Sequence, residues 1–394
     1  MSYAYDQLIH FEATLAGTPV QVVSKPGLAD AEQVSDLALL AADLIRLAPT
    51  ERVALLGCGH GALGVALARQ LPHGTLLLHD PNQLAVQMAR LTLEANGIAN
   101  ATVSPALSQL PEAAASFDRV VILAPQARDL ARRWLVEALA LLRPDGLINL
   151  AGAKRGGIEP LIRDLAALCG NATTLGYGRG CRVAQARRGE TLPDPPAWAT
   201  LPGIAPGSWL SVETWLPGGP PVTLASLPGV FSAEQLDAGT ALLLAQLGPL
   251  PGQRVLDIGC GYGPIGLAAA RLGAAQVDLL DVSLLAVAAT RQNITRLGLE
   301  PIATVAASDA LAAVRGRCYD LILSNPPFHA GRSIDTRMAN AFISQAHAVL
   351  APGGRLQLVA NRFLTYERAL TPWFAQVREV AATASYRVLE GVRG

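Results

Sequence analysis

The run Ser324-Asn325-Pro326-Pro327-Phe328-His329 gathers groups suited to holding a flat, nitrogen-bearing ring. Asn325 offers an amide oxygen, Pro326 a main-chain carbonyl and Phe328 a stacking face worth ~1–3 kcal/mol for a base. Pro326 and Pro327 restrict the residues before them to extended backbone, which fixes where the carbonyls point. An amino nitrogen on an aromatic ring is a poor nucleophile because its lone pair is delocalised. Two acceptor oxygens gripping its NH2 favour a tetrahedral nitrogen, ready to attack an electrophilic carbon. No carboxylate base is needed if the proton leaves after the new bond forms; alignment and preset dipoles supply the acceleration. Taken alone, the run is equally a plain turn leaving a strand.

Upstream, Val255–Gly266 reads VLDIGCGYGPIG, the order of a buried strand, a glycine turn and a helix entry. Gly259, Gly261 and Gly263 let a ligand lie against the main chain where a Cβ would block it. Their G-x-G-x-G spacing, with Asp257 two residues ahead, differs from the dinucleotide pattern G-x-G-x-x-G. Further acids end later apolar runs, Asp281 in VDLLD and Asp309 after Ser308. Each acid singly reads as well as a helix-capping strand end; the ordered set favours a ligand.

These groups need a frame that brings them together. From 254 onward strands and helices are expected in alternation: helix about 264–272, strand to Asp281, helix about 283–297, strands near 302–306 and 319–324, helix near 338–350, strand 355–361. Such alternation gives an open, mostly parallel α/β sheet covered by helices, with ligands outside the carboxyl ends of the strands. Ahead of it, residues 208–232 read as a hairpin around Gly218-Gly219-Pro220-Pro221. Ser232 is expected to cap a helix running to Leu247, with Leu236, Leu243 and Leu244 on its apolar face.

The first half carries a second copy. RVALLGCGHGALG at 52–64 aligns with RVLDIGCGYGPIG at 254–266, and LHDPNQLAV at 78–86 with LLDVSLLAV at 279–287. FDRVVILAPQ at 117–126 then aligns with YDLILSNPPF at 319–328, and LLRPDGLINLAGAK at 141–154 with VLAPGGRLQLVANR at 349–362. Four matches in one order make chance a poor explanation. Leu55 stands where the second copy has Asp257, and Leu123-Ala124-Pro125-Gln126 where it has Asn325 to Phe328. The first copy therefore reads as a fold that has lost its chemistry; retention of ligand through its glycines and Asp80 is the rival reading.

PGVFS, DIGCGYG, LLDVS, SNPPFH, APGG and VANRFLTYE together resemble the class I S-adenosylmethionine-dependent methyltransferases, specifically the ribosomal RNA small-subunit guanine-N2 family. The likeness spans most of 208–394, and the tandem layout with a degenerate first copy is similar too. It implies two tandem Rossmann-like domains: 1–190 degenerate, 191–207 a Pro-rich linker, and 208–394 catalytic. It further implies that Asp257 serves the amino acid end of S-adenosylmethionine, Gly259, Gly261 and Gly263 its close approach, Asp281 the ribose hydroxyls and Asp309 the adenine amine. Asn325, Pro326, Pro327 and Phe328 would be the catalytic set, with ribosomal RNA or a ribosomal subunit as partner. The same nitrogen chemistry serves large-subunit guanine-N2 enzymes and protein-glutamine or DNA-adenine amino methyltransferases, where Tyr usually replaces Phe328. An inactive cofactor-binding scaffold is the non-enzyme alternative.

Composition narrows the rest. Charged or turn-forming residues interrupt every apolar run before the ~18–20 residues a bilayer span needs, and Met1–His10 lacks the pattern of a secretory signal, so a cytoplasmic protein is expected. The five cysteines make no metal-ligand spacing, and no metal is expected. Lysine plus arginine balance aspartate plus glutamate at 31 each, so RNA contact should use local patches rather than a uniform field. Arg182, Arg187 and Arg188, with Lys154 and Arg155, are either such a patch or scattered surface charge. A monomer is the favoured state.

Overall fold

Runs rich in Val, Leu and Ile, bounded by glycine turns, form the buried strands of a computed structural model that describes residues 4–105, 115–326, 329–330, 333–334 and 336–394. The chain divides into two compact units, Met1–Trp209 and Leu210–Gly394.

The first unit opens with the antiparallel pair β1 (Ile9–Leu15) and β2 (Thr18–Ser24), then α1 (Asp36–Leu44). Alternation follows through β3 (Arg52–Leu56), α2 (Ala62–Ala68), β4 (Thr75–His79), α3 (Gln83–Ala95), β5 (Ala101–Ser104), β6 (Phe117–Leu123), α4 (Arg128–Leu141), β7 (Leu142–Ala153) and α5 (Ile158–Cys169). It closes on β8 (Thr173–Gly178) and β9 (Cys181–Arg187). Seven strands lie in the order β5-β4-β3-β6-β7-β9-β8, parallel except for β9, which runs antiparallel to both neighbours.

The second unit repeats the plan. The pair β10 (Leu210–Thr214) and β11 (Val222–Ser226) precedes α6 (Ala238–Leu244), β12 (Arg254–Ile258), α7 (Pro264–Arg271), β13 (Gln276–Asp281), α8 (Leu284–Arg296), β14 (Ala303–Ala307) and β15 (Tyr319–Ser324). After the short pair β16 (His329–Ala330) and β17 (Ser333–Ile334) come α9 (Thr336–Val349), β18 (Leu350–Asn361), α10 (Tyr366–Leu370), β19 (Gln376–Ala382) and β20 (Tyr386–Val392). The sheet order is β14-β13-β12-β15-β18-β20-β19, the same permutation as in the first unit. The expectation of two tandem Rossmann-like α/β domains therefore holds.

The duplication extends to the latch between hairpin and sheet. Thr92 Oγ1 accepts from Val23 N–H and donates to the Val23 carbonyl, joining α3 to β2. In the second unit the Asn293 amide does the same for Ala225, accepting at 2.6 Å and donating at 2.9 Å, and joins α8 to β11. Both latches are buried, where an unmade bond would cost about 1–3 kcal/mol.

The expected helix after the hairpin is corrected at both ends. Ser232 does not cap a helix: it lies at φ 49 in a turn, and α6 starts behind Asp237, whose carboxylate accepts from Thr240 N–H at 2.9 Å. Asp is as good a cap as Ser and stands closer to the apolar pair Leu243 and Leu244. Leu236 thus precedes the helix, which ends at Leu244 rather than Leu247. The Pro-rich segment packs on the first unit: Arg133 donates to the Gly203 carbonyl at 2.9 Å, and the Arg132 guanidinium sits 5.1 Å from the Trp198 ring centroid.

Candidate functional site

Strand order decides what meets. β14, β13, β12 and β15 are consecutive neighbours, all parallel, so the residues leaving their carboxyl ends share one edge. Those are Asp309, Asp281, the Gly259–Gly263 turn and Asn325. Between β12 and β15 the chain order reverses, the place where open α/β sheets bind ligands.

The glycine turn is held from below and from the side. Gly259 and Cys260 donate to the Leu280 carbonyl at 2.8 and 2.9 Å. Asp281 clamps it further: one carboxylate oxygen accepts from Gly261 N–H at 2.9 Å, the other from Ser283 N–H at 2.8 Å. From α8, Thr290 donates to the Gly261 carbonyl and Asn293 to the Tyr262 carbonyl. Gly261 has φ +57 and open space where a Cβ would stand, whereas Gly263, at φ +96, would press a Cβ to 3.1 Å from Thr290. The turn is rigid yet bare on one side, the shape a close-lying ligand requires.

Asp257 is fully buried beneath the turn. One oxygen accepts from Gly266 N–H at 2.8 Å, and the other has no partner among the described residues. Burial pushes its carboxyl up to about 7, with Asp281 adding repulsion; burial raises Asp281 as well. Desolvation disfavours the charged form of each, and the backbone N–H groups that Asp281 accepts from offset part of that cost. Asp309 lies almost buried just beyond β14.

Asn325 leaves β15 beside a tether of Ser324 Oγ to the Ile258 carbonyl at 2.7 Å. Its amide nitrogen donates to Asp237 Oδ2 at 3.0 Å and to Thr240 Oγ1 at 2.9 Å. Composition and spacing pointed to neither partner: both lie more than 80 residues away in sequence. Pro326 is buried at the same edge. Pro327, Phe328 and Arg332 lie outside the described residues. Gly266 is a third residue missed by the sequence reading: a Cβ there would meet Leu279 at 2.4 Å and Asp257 at 3.1 Å, so its bareness seats α7 on β13.

Tyr366 is fully buried in the core, while Phe363 is exposed. The cysteines are free, and Cys58 and Cys260 are buried in matching places. No cluster of His, Cys, Asp or Glu suits a metal, and no helix is long and apolar enough to cross a membrane, among the described residues. The arginines suggested as a basic face have partners within the unit: Arg182 and Arg187 make surface pairs with Glu159 and Asp145, and Arg188 donates to the Leu139 and Leu142 carbonyls. Lys154 and Arg155 remain exposed.

In the first unit the turn is built the same way, without the polar groups that flank it in the second. Asp80 accepts from Gly59 N–H and Asn82 N–H, both at 2.9 Å, the clamp made by Asp281. A Cβ on Gly57 would lie 2.8 Å from the Leu123 carbonyl and 3.2 Å from Trp134. Leu55, in place of Asp257, is buried.

The methyltransferase small domain family matches residues 20–184 and again 221–390, one match to each copy. The chain is 37% identical over 286 residues to the ribosomal RNA small subunit methyltransferase C of Pseudomonas entomophila, covering 72% of this chain and 81% of that protein. It is 36% identical over 280 residues to the protein of the same name from Hahella chejuensis, covering 71% and 78%. A solved T. thermophilus structure, a 16S rRNA N2 G1207 methyltransferase in complex with AdoMet and guanosine, superposes with TM-score 0.80 at 28% identity over 99% of both chains.

Proposed function

The chain belongs to the ribosomal RNA small subunit methyltransferase C family, and we infer from that premise that it transfers a methyl group from S-adenosylmethionine to the N2 amine of a guanine in 16S ribosomal RNA. The observation that carries the reading onto this chain is the single edge shared by the glycine turn, Asp281 and an Asn325 whose amide nitrogen is already spoken for. The side-chain oxygen of Asn325 is thereby left for the guanine amine, with the Pro326 carbonyl as second acceptor and Phe328 as stacking face.

The donor fits this edge. Gly259, Gly261 and Gly263 admit it against the main chain, and Asp281 has carboxylate lone pairs left for the ribose hydroxyls, a charge-assisted contact. Asp309 would accept from the adenine amine. Asp257 would act on the amino acid end through its charge and through the turn it supports, because its carboxylate is wholly buried. When bound, the donor supplies an electrophilic methyl on a sulfonium. The chain aligns the amine with it and stabilises positive charge on the attacking nitrogen through the two carbonyl oxygens. The target guanine must leave its stack to reach this edge.

The first unit, about 1–190, we read as disarmed: packing and loop clamping account for its glycines and Asp80 without a ligand. It would support the catalytic unit, 208–394, or position RNA, with 191–207 as the connection. We place the protein in the cytoplasm as a monomer acting on RNA or an assembling subunit. Incubation with 16S RNA and with small subunits, using labelled donor, should put label on one guanine mapped by mass spectrometry. Label on protein alone would defeat the assignment.

A further inference from the structure

We propose that Asp237 and Thr240 are positioning residues that lock the Asn325 amide with its oxygen toward the guanine amine; the proposal rests on the guanine-N2 reading and deepens it. An Asn side chain is nearly symmetric, and its two ends differ only in donating or accepting. Turned the wrong way, Asn325 would present an NH2 to the substrate NH2, and no acceptor would face the reacting nitrogen. A carboxylate oxygen has no proton to give, so Asp237 Oδ2 at 3.0 Å accepts only the nitrogen end; Thr240 Oγ1 takes the same group at 2.9 Å. Both partners come from the first turn of α6, the element that the hairpin lead-in delivers to the sheet.

The chain's own duplication supplies an independent observation. Helices α1 and α6 begin at equivalent places, 36 and 238, and both are capped. Ser35 accepts from Ala38 N–H at 3.2 Å as Asp237 does from Thr240 N–H. Capping is thus met by serine where no chemistry is performed. In the disarmed copy Ser35, Ala38 and Leu123 stand where the other has Asp237, Thr240 and Asn325, so all three polar groups are absent together. Gly239 belongs to the same arrangement. A Cβ there would come within 2.9 Å of Asp237 Oδ2 and 3.0 Å of the Tyr386 ring, and the first copy has Leu37 at that place. A helix-weakening glycine is kept where the carboxylate needs room.

The test uses the full chain carrying Asp237→Ser, which restores the first copy's cap, and Thr240→Val, which keeps shape and removes the hydroxyl. Loss of the charged partner should lower kcat about 10- to 100-fold in D237S and by less in T240V, in line with bonds to charged and neutral groups. KM for RNA, donor affinity and Tm should stay close to wild type. In an Asn325→Ala background D237S should cost nothing more. The side-chain NH2 of Asn325, followed by NMR with selectively labelled asparagine, should exchange with solvent about tenfold faster in D237S. Wild-type kcat in D237S, or an equal further loss in the N325A background, would make Asp237 a helix cap and overturn the proposal. An unaccelerated Asn325 NH2 would do the same independently of turnover. If the wild-type chain itself methylates no guanine, the function reading fails, and the exchange measurement still decides the orientation.

Discussion

Asp257 is the fully buried carboxylate of the candidate site, and the sign of its shift makes a prediction. Its folded value of about 7 lies above the ordinary 3.8, so between these values the folded chain binds the extra proton. Stability from this group is present below pH 4, is lost as pH rises through 7, and is flat above. Compared with Asp257→Asn, the wild type should lose unfolding free energy across that window, by ~4 kcal/mol at most. Urea unfolding of both chains at pH 5, 6, 7 and 8 checks this, and a constant difference would refute it. The same logic couples the group to its ligand. A bound cation near Asp257 draws the proton off, so donor affinity should rise from pH 6 to pH 8, with proton release visible by calorimetry in buffers of different ionisation heat. In D257N that release should shrink, leaving what Asp281 contributes.

At the scale of elements, the seat of the helix after the glycine turn is the same in both copies. A Cβ on Gly64 would meet Leu78 at 2.4 Å, as one on Gly266 would meet Leu279 at 2.4 Å. Gly64→Ala and Gly266→Ala should each cost ~1–3 kcal/mol by overpacking, read as a lowered Tm. Under the proposed division of labour only G266A should also weaken donor binding, because α7 follows the turn proposed to hold the donor. Equal loss of donor binding in both variants would mean that the first unit still binds ligand.

For the whole molecule, duplication followed by divergence predicts one donor per chain. Titration calorimetry should give a stoichiometry near one, unchanged by Asp80→Asn and lost with Asp281→Asn. Two sites, or sensitivity to Asp80, would reverse the division of labour. The charge is balanced at 31 against 31, and in the suggested patch Lys154, Arg155 and Arg187 are exposed, with Arg182 and Arg187 facing acidic neighbours. RNA contact then rests on few phosphates and should have a shallow salt dependence.

The amino-acid sequence alone determined what local pattern encodes. Strands, glycine turns and their periodic helices, the two copies and the acids closing each strand were all legible, because each is set by residues within a few positions of one another. So was the run at Asn325, whose prolines fix their own backbone. Only the tertiary structure decided which atoms those side chains hold. Asp237 and Thr240 reach Asn325 across 88 and 85 residues, the fully buried Asp257 holds the start of α7 through Gly266 N–H, and Arg182 and Arg187 face acidic neighbours on the surface of the first unit. Contacts of that kind depend on which helix the sheet order brings to which strand end. A helix cap chosen five residues from the true one, Ser232 instead of Asp237, hid the residue that turns the amide.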